Sequence, residues 1–264
     1  MNPLSIATFS FVATDDIGAN VQRIRGAIFD AAKAGAQLLL TPECSLIGYP
    51  SAARPDLSAV DWCRVGDEEE VLEIEARKAN IAVVLGTAGP FRTPTQFSND
   101  ALVINAGPNP QRYRKQALTP SDEQHFIPGD TPLNVTVAGW KLGISICYEM
   151  RFGQLWAAQA RAGIDAFIHI AHMAGGDLDP GTKEKVIPNI YSARAAEWAT
   201  PLIVCNTAAA DRWLPSGHWD ARGVLIDSCA SGLLITTVKP RNSFAPWYQG
   251  LREQALRRVF PSDG

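Results

Sequence analysis

Lys141-Leu-Gly-Ile-Ser-Ile-Cys147-Tyr-Glu-Met-Arg-Phe152 runs an apolar, β-branched segment straight into a cysteine, and Gly153-Gln154-Leu155 then opens an alanine-rich run. The pattern predicts a buried strand that stops at the thiol, followed by a helix over residues 152–162. That arrangement leaves the sulfur at the carboxyl edge of a sheet, facing a helix N-terminus whose free N–H groups and dipole favour a thiolate. Such a Cys147 is either a nucleophile or a small buried hydrophobe, the commonest fate of an unpaired cysteine.

Working outward, residues 4–12 read as a strand, and Ile17, Val21, Ile24, Ile28 and Ala31 recur at helical spacing before Gly35 closes the turn. Residues 38–42 form a short buried strand. Residues 68–80 read as a helix whose acids lead and whose bases trail, matching the macrodipole. Residues 81–86, 100–105 and 112–116 are strands, ahead of a loop over 119–132 punctuated by proline and glycine. Beyond the cysteine come a strand at 166–170, a helix around 188–198, strands at 201–205, 223–226 and 232–238, and an amphipathic tail over 243–264. Strands and helices alternate without a linker or short-period repeat, which predicts one layered α/β domain over residues 1–264 with more than one sheet.

The 264 residues are 46% hydrophobic, ample for a core, and the net charge of -3 offers no basic field for nucleic acid or an anionic membrane. No apolar run approaches a bilayer span, and Met1-Asn-Pro-Leu-Ser-Ile lacks a secretory pattern. Five cysteines with no Cys-x-x-Cys pair argue against a disulfide framework or zinc knuckle and point to the cytoplasm.

Other strand ends carry polar groups. Glu43 follows Leu38-Leu-Leu-Thr-Pro42, as Cys147 follows its own strand, and carboxyl ends of strands in α/β proteins converge on one site. Glu43 is therefore a base beside a thiol or a surface carboxylate. Lys115, in Tyr113-Arg-Lys115-Gln-Ala-Leu118, is an oxyanion cation or a solvated lysine, and Glu123 is its partner or a loop decoration. His169 and His172 with Asp177 and Asp179 are imidazoles and carboxylates of the kind that bind divalent ions, but strand alternation separates the two rings. His125, His172 and His218 are the candidate bases for a Cys–His protease pair, although the context of Cys147 matches no such signature.

Taken together, these positions resemble the nitrilase superfamily of carbon–nitrogen hydrolases, marked by Glu, Lys and Cys in that order. Thr41-Pro-Glu43 with Gly48-Tyr49 resembles its first motif, and Tyr113-Arg-Lys115 with Leu118, Glu123, Phe126 and Pro128-Gly129-Asp130 its second. Gly143-Ile-Ser-Ile-Cys147-Tyr-Glu-Met-Arg151-Phe152 resembles the third, with Ala193-Arg-Ala-Ala-Glu197 and Asn206 further along. The resemblance implies a four-layer α-β-β-α sandwich, a homodimer or higher homo-oligomer, and no metal or organic cofactor. It makes Glu43 the general base and acid, Lys115 the oxyanion cation, Cys147 the nucleophile and Glu123 a supporting acid. Tyr49, the Tyr148 backbone N–H, His172 and Met173 would contact a small amide substrate. Cys-Tyr-Glu-Met-Arg-Phe is nearer to the ω-amidase and deaminated-glutathione amidase branches than to nitrilases with Cys-Trp-Glu, so amide hydrolysis is expected. Ile170-Ala-His172-Met-Ala-Gly-Gly and Ser216-Gly-His218-Trp219 depart from the family pattern and leave the acyl group undetermined. An N-carbamoyl amide hydrolase, a nitrilase, a silent binding subunit and a metal hydrolase are the alternatives.

Overall fold

The computed structural model describes residues 1–50, 56–175 and 181–240, together with 250, 253–254 and 257–258. The expected α-β-β-α sandwich is what forms. One sheet has the order β12-β1-β2-β3-β4-β5 and the other β11-β10-β9-β8-β7-β6. Their strands are β1 (Leu4–Ser10), β2 (Leu38–Leu40), β3 (Ala82–Phe91), β4 (Thr93–Ile104), β5 (Gln111–Arg114) and β12 (Gly232–Val238) in the first, and β6 (Asn134–Val137), β7 (Trp140–Ile146), β8 (Ala166–Ile170), β9 (Leu202–Cys205), β10 (Ser216–Trp219) and β11 (Leu225–Cys229) in the second. In each sheet three parallel strands are flanked by antiparallel neighbours. Helices α1 (Ile17–Lys33) and α2 (Trp62–Lys78) connect the first parallel trio, and α3 (Gly153–Arg161) and α4 (Thr182–Glu197) connect the second. The two halves therefore share one topology.

Period-two alternation sorts side chains into layers. Leu38 and Leu40 face the other sheet, packing with Ile144, Ile146 and Ile168, while Leu39 points outward beneath Ile24 and Ile28 of α1. A third cluster joins Trp156 of α3 and Ile187 and Tyr191 of α4 to Phe167, Leu202 and Val204. Asp16 caps α1 by accepting from the Ala19 amide at 3.0 Å, and its helical apolar stripe is the one read from the sequence.

Several boundaries differ from expectation. Helix α2 starts at Trp62 rather than 68, because Asp61 accepts from the Arg64 amide at 3.0 Å and caps it there. β3 and β4 extend beyond the expected strands at 81–86 and 100–105 into a long hairpin that turns at Arg92, with φ of 64°. α4 begins at Thr182 with Pro188 inside it. β6 and β10 were missed: β6 is only four residues long before the turn at Ala138-Gly139, too short for a period to show, and Ser216-Gly217-His218 in β10 carries almost no strand signal. The tail over 243–264 lies largely outside the described residues.

Gly86 on β3 is where the sheet meets the turn after β2. A Cβ there would lie 1.8 Å from the Pro42 carbonyl oxygen. The contact is tied down by Gly86 N–H to Thr41 Oγ1 at 3.0 Å, Leu46 N–H to Gly86 O at 2.9 Å and Ser45 Oγ to Gly86 O at 3.1 Å. Gly86→Ala is expected to push the Pro42–Glu43 backbone off the sheet and cost about 1–3 kcal/mol, in the manner of an overpacked core. Urea unfolding with an unchanged midpoint would disprove this close approach.

Candidate active site

Three chain exits converge between the sheets. The first is the turn after β2. Thr41 N–H bonds Val84 O at 3.0 Å, its hydroxyl accepts from Ser45 at 2.7 Å, and Glu43 N–H reaches Ala171 O on the opposite sheet at 3.4 Å. Cys44 takes φ of 52°, so the chain reverses immediately after Glu43.

The second exit is β5. The Lys115 amide donates to Asn99 O at 2.8 Å, and its carbonyl accepts from Gly129 at 2.9 Å, which fixes the backbone on both sides. Its ammonium has no exposed surface and lies 2.7 Å from Glu43 Oε1 and 2.8 Å from Asp122 Oδ2. Asn99 Nδ2 also donates to Glu43 Oε1, at 2.7 Å, and the His172 amide donates to Oε2 at 2.8 Å. The second acid on the lysine is thus Asp122 and not Glu123. Asp122–Gln124 is a single 3-10 turn, and its rotation sends Asp122 inward and Glu123 to solvent. Asp122 is held further by the Thr119 amide at 2.9 Å and by the Tyr49 hydroxyl.

The third exit is β7. Cys147 adopts φ of 47°, a left-handed conformation that L side chains avoid, and begins the 3-10 turn Cys147–Arg151. A non-glycine residue held there at a cost of roughly 1–3 kcal/mol is typical of functional turns. Its thiol is close enough to Glu43, Lys115 and Asp122 for all three charges to act on it.

The electrostatics reverse one sequence expectation. Burial, then the Glu43 carboxylate, push the Cys147 thiol well above its ordinary range, and Lys115 and the His172 amide only partly oppose them. Burial and the Glu43 charge thus favour the thiol over the thiolate. The charged partners are the others: burial pulls Lys115 down, but the Glu43 and Asp122 carboxylates hold it well above its usual value. Burial raises Asp122, yet Lys115 and its donors bring it below the ordinary carboxylate range.

Around this centre, Tyr49 and His172 stack face to face, centroids 4.4 Å apart and planes 4° from parallel. The Tyr148 ring sits edge-on to Phe152 at 5.2 Å, and its amide directly follows the strained cysteine. Met173 is a core residue rather than an open wall: it is 2% exposed, packs in the cluster with Trp156 and Tyr191, and takes a weak Tyr191 hydroxyl bond on sulfur at 3.6 Å. Asn206 pins its amide at 2.8 Å. His169 interacts with the backbone of Cys147, His218 pairs with Thr236 at 2.8 Å, and His125 lies beside Phe126. Asp177 and Asp179 lie outside the described residues.

Three residues escaped sequence reading. Asn99 sits mid-strand and Asp122 in a loop, where composition does not mark them. Glu149 is wholly buried two positions after the cysteine. The signal for Asp122 was turn periodicity, which one residue of register decides.

A family model described as carbon-nitrogen hydrolase matches residues 5–240. An (R)-stereoselective amidase of Pseudomonas sp is 30% identical over 165 residues, 62% of this chain, and the chain spans 57% of that protein's length. Among solved structures, the NitN amidase of Nesterenkonia sp. AN1 superposes with a TM-score of 0.79 at 25% identity, covering 97% of this chain and 100% of that one. A glutamate mutant of the same amidase, with the acetamide moiety of fluoroacetamide added covalently at its active-site cysteine, gives 0.78 at 25% identity, covering 97% and 96%.

Behind the cysteine, His169 on β8 is fully buried, with Nδ1 2.8 Å from Ser145 Oγ and its ring between Trp156 and Tyr191. Burial, helped by the Lys115 charge, lowers its pKa to about 3. Unfolded chains take up this proton near pH 6.5, so the stability from keeping His169 neutral is full above that pH. It is lost as pH falls toward 3, at about 1.4 kcal/mol per pH unit. His172 and His218, also lowered by burial, titrate in the same sense. His169→Gln is therefore expected to unfold with a slope against pH shallower by about one proton across pH 4–6 in denaturant titrations. Equal slopes would remove His169 as a source of acid sensitivity.

Proposed function

The chain belongs to the carbon–nitrogen hydrolase family, and on that premise we propose that it hydrolyses small linear amides to carboxylic acid and ammonia through a thioester on Cys147. The observation that carries this reading is the buried cluster in which Glu43 Oε1 and Asp122 flank the Lys115 ammonium beside a thiol.

Each group has a task that its surroundings fit. Glu43 Oε2 accepts one hydrogen bond, from His172, and keeps a lone pair for the thiol proton. Because the thiol is neutral at rest, its proton leaves to Glu43 as sulfur attacks the carbonyl carbon. The oxyanion that forms is stabilised by the Lys115 ammonium and the Tyr148 backbone N–H. Protonated Glu43 then gives its proton to the departing nitrogen, the C–N bond breaks, and ammonia leaves a thioester. Water deprotonated by Glu43 attacks that thioester through the same oxyanion site, and the carboxylic acid and the thiol are regenerated. Asn99 and Asp122 keep Glu43 and Lys115 in place through both halves. Tyr49 and His172 form a flat aromatic wall beside Glu43, suited to a short acyl group.

The same reading makes the enzyme a cytoplasmic homodimer. Five free cysteines fit a reducing compartment, and the dimer rests on family analogy. A sizing column with a monomer mass would refute it.

Ammonia release is to be measured on ω-amides, short aliphatic amides, N-carbamoyl amino acids and nitriles. Activity is expected on amides and absent in Cys147→Ala; carbon dioxide formed with ammonia would move the assignment to carbamoyl hydrolysis, and full activity of the mutant would exclude the nucleophile. Lys115→Ala is expected to lose about two to three orders of magnitude in kcat per folded molecule, as for removal of an oxyanion donor. It should also lose about 3–5 kcal/mol of stability, because two buried carboxylates lose their cation. Near-normal turnover would take Lys115 out of the reaction.

A further inference from the structure

Glu149 is 0% exposed, yet none of its hydrogen-bond partners is a cation. Oε2 accepts from the Ile146 amide at 2.6 Å, immediately before Cys147. Oε1 accepts from the Gln116 amide at 2.6 Å, the Ala117 amide at 3.4 Å and the Tyr113 hydroxyl at 2.7 Å. These three donors flank Lys115 on the other sheet. The Glu149 carbonyl is itself fixed by Trp156 Nε1 at 3.0 Å.

A carboxylate that merely capped the turn Cys147–Arg151 would require the Ile146 bond alone. Most of the donors instead come from the exit of β5, so the side chain spans the gap between the two sheets where the thiol and the ammonium must meet. Three amide donors demand an acceptor at both oxygens, which only a carboxylate supplies without placing an N–H against another N–H. We propose that Glu149 is a positioning residue that ties the turn bearing Cys147 to the chain around Lys115 and so fixes the nucleophile against the oxyanion cation. It touches neither substrate nor reacting atoms. Its contribution is registry between groups carried on separate sheets, and small errors in such registry are costly to turnover.

This inference rests on Cys147 being the nucleophile, and Cys147→Ala run in parallel separates the two. If that variant stays active, the functional reading fails; if it is inactive while Glu149 variants behave normally, only the present inference fails. Glu149→Gln keeps the volume but turns one acceptor into a donor facing an amide. With the amide that the wild type turns over fastest, kcat per titrated active site is expected to fall about 10- to 100-fold with KM within about twofold, and alkylation of Cys147 by iodoacetamide to slow in parallel. A lower melting temperature with unchanged kcat and alkylation would mean a structural role only and would overturn the proposal. Tyr113→Phe removes one of the four donors and is expected to lower kcat about threefold at unchanged KM. If Glu149→Gln does not accumulate folded, Tyr113→Phe decides the matter, and unchanged kcat there overturns the proposal.

Discussion

A lysine ammonium stripped of water between two sheets persists because buried carboxylates pair with it. Glu43 and Asp122 approach Lys115 at 2.7 and 2.8 Å from separate turns, and each is anchored by further donors. Removing the lysine would strand two buried carboxylates, which is far more damaging than the net worth of the pairs. The cluster therefore dictates the local backbone: the side-chain-free face of Gly86, the reversal at Cys44 and the double clamp on the Lys115 peptide all serve its geometry.

The repeated topology explains why such a cluster can be assembled at all. Each half places a parallel trio against its neighbour, and the exits of β2, β5 and β7 open on a common seam. Hydrophobic side chains fill the space between sheets along most of their length. Where they stop, polar groups contributed by both halves meet without solvent. Low dielectric strengthens each interaction there and makes each unpaired group expensive.

Much of this was legible in the residues. β8 and β12 fall where alternation and apolar runs put them, and the stripe Ile17, Val21, Ile24, Ile28 and Ala31 is the buried face of α1. Glu43, Lys115 and Cys147 were readable because each interrupts an apolar run with a chemically distinct group. What was not legible depended on turn rotation and burial. Asp122 and Glu123 are adjacent carboxylates, and only the 3-10 turn selects between them. The protonation of Cys147 could not be read either, since a neighbouring lysine and a following turn argue for a thiolate until the desolvation and the Glu43 charge are known. Short polar strands such as β10 exist because their neighbours supply the pairing.

Burial of the Cys147 sulfur has a consequence for its endurance. Peroxide and other adventitious electrophiles react with thiolates, so a sulfhydryl whose ionisation is opposed by burial and by the Glu43 charge is a poor target for them. Exposed Cys63 has no such shelter. Desolvation that opposes ionisation thereby doubles as chemical armour for the sulfur beside the buried cluster.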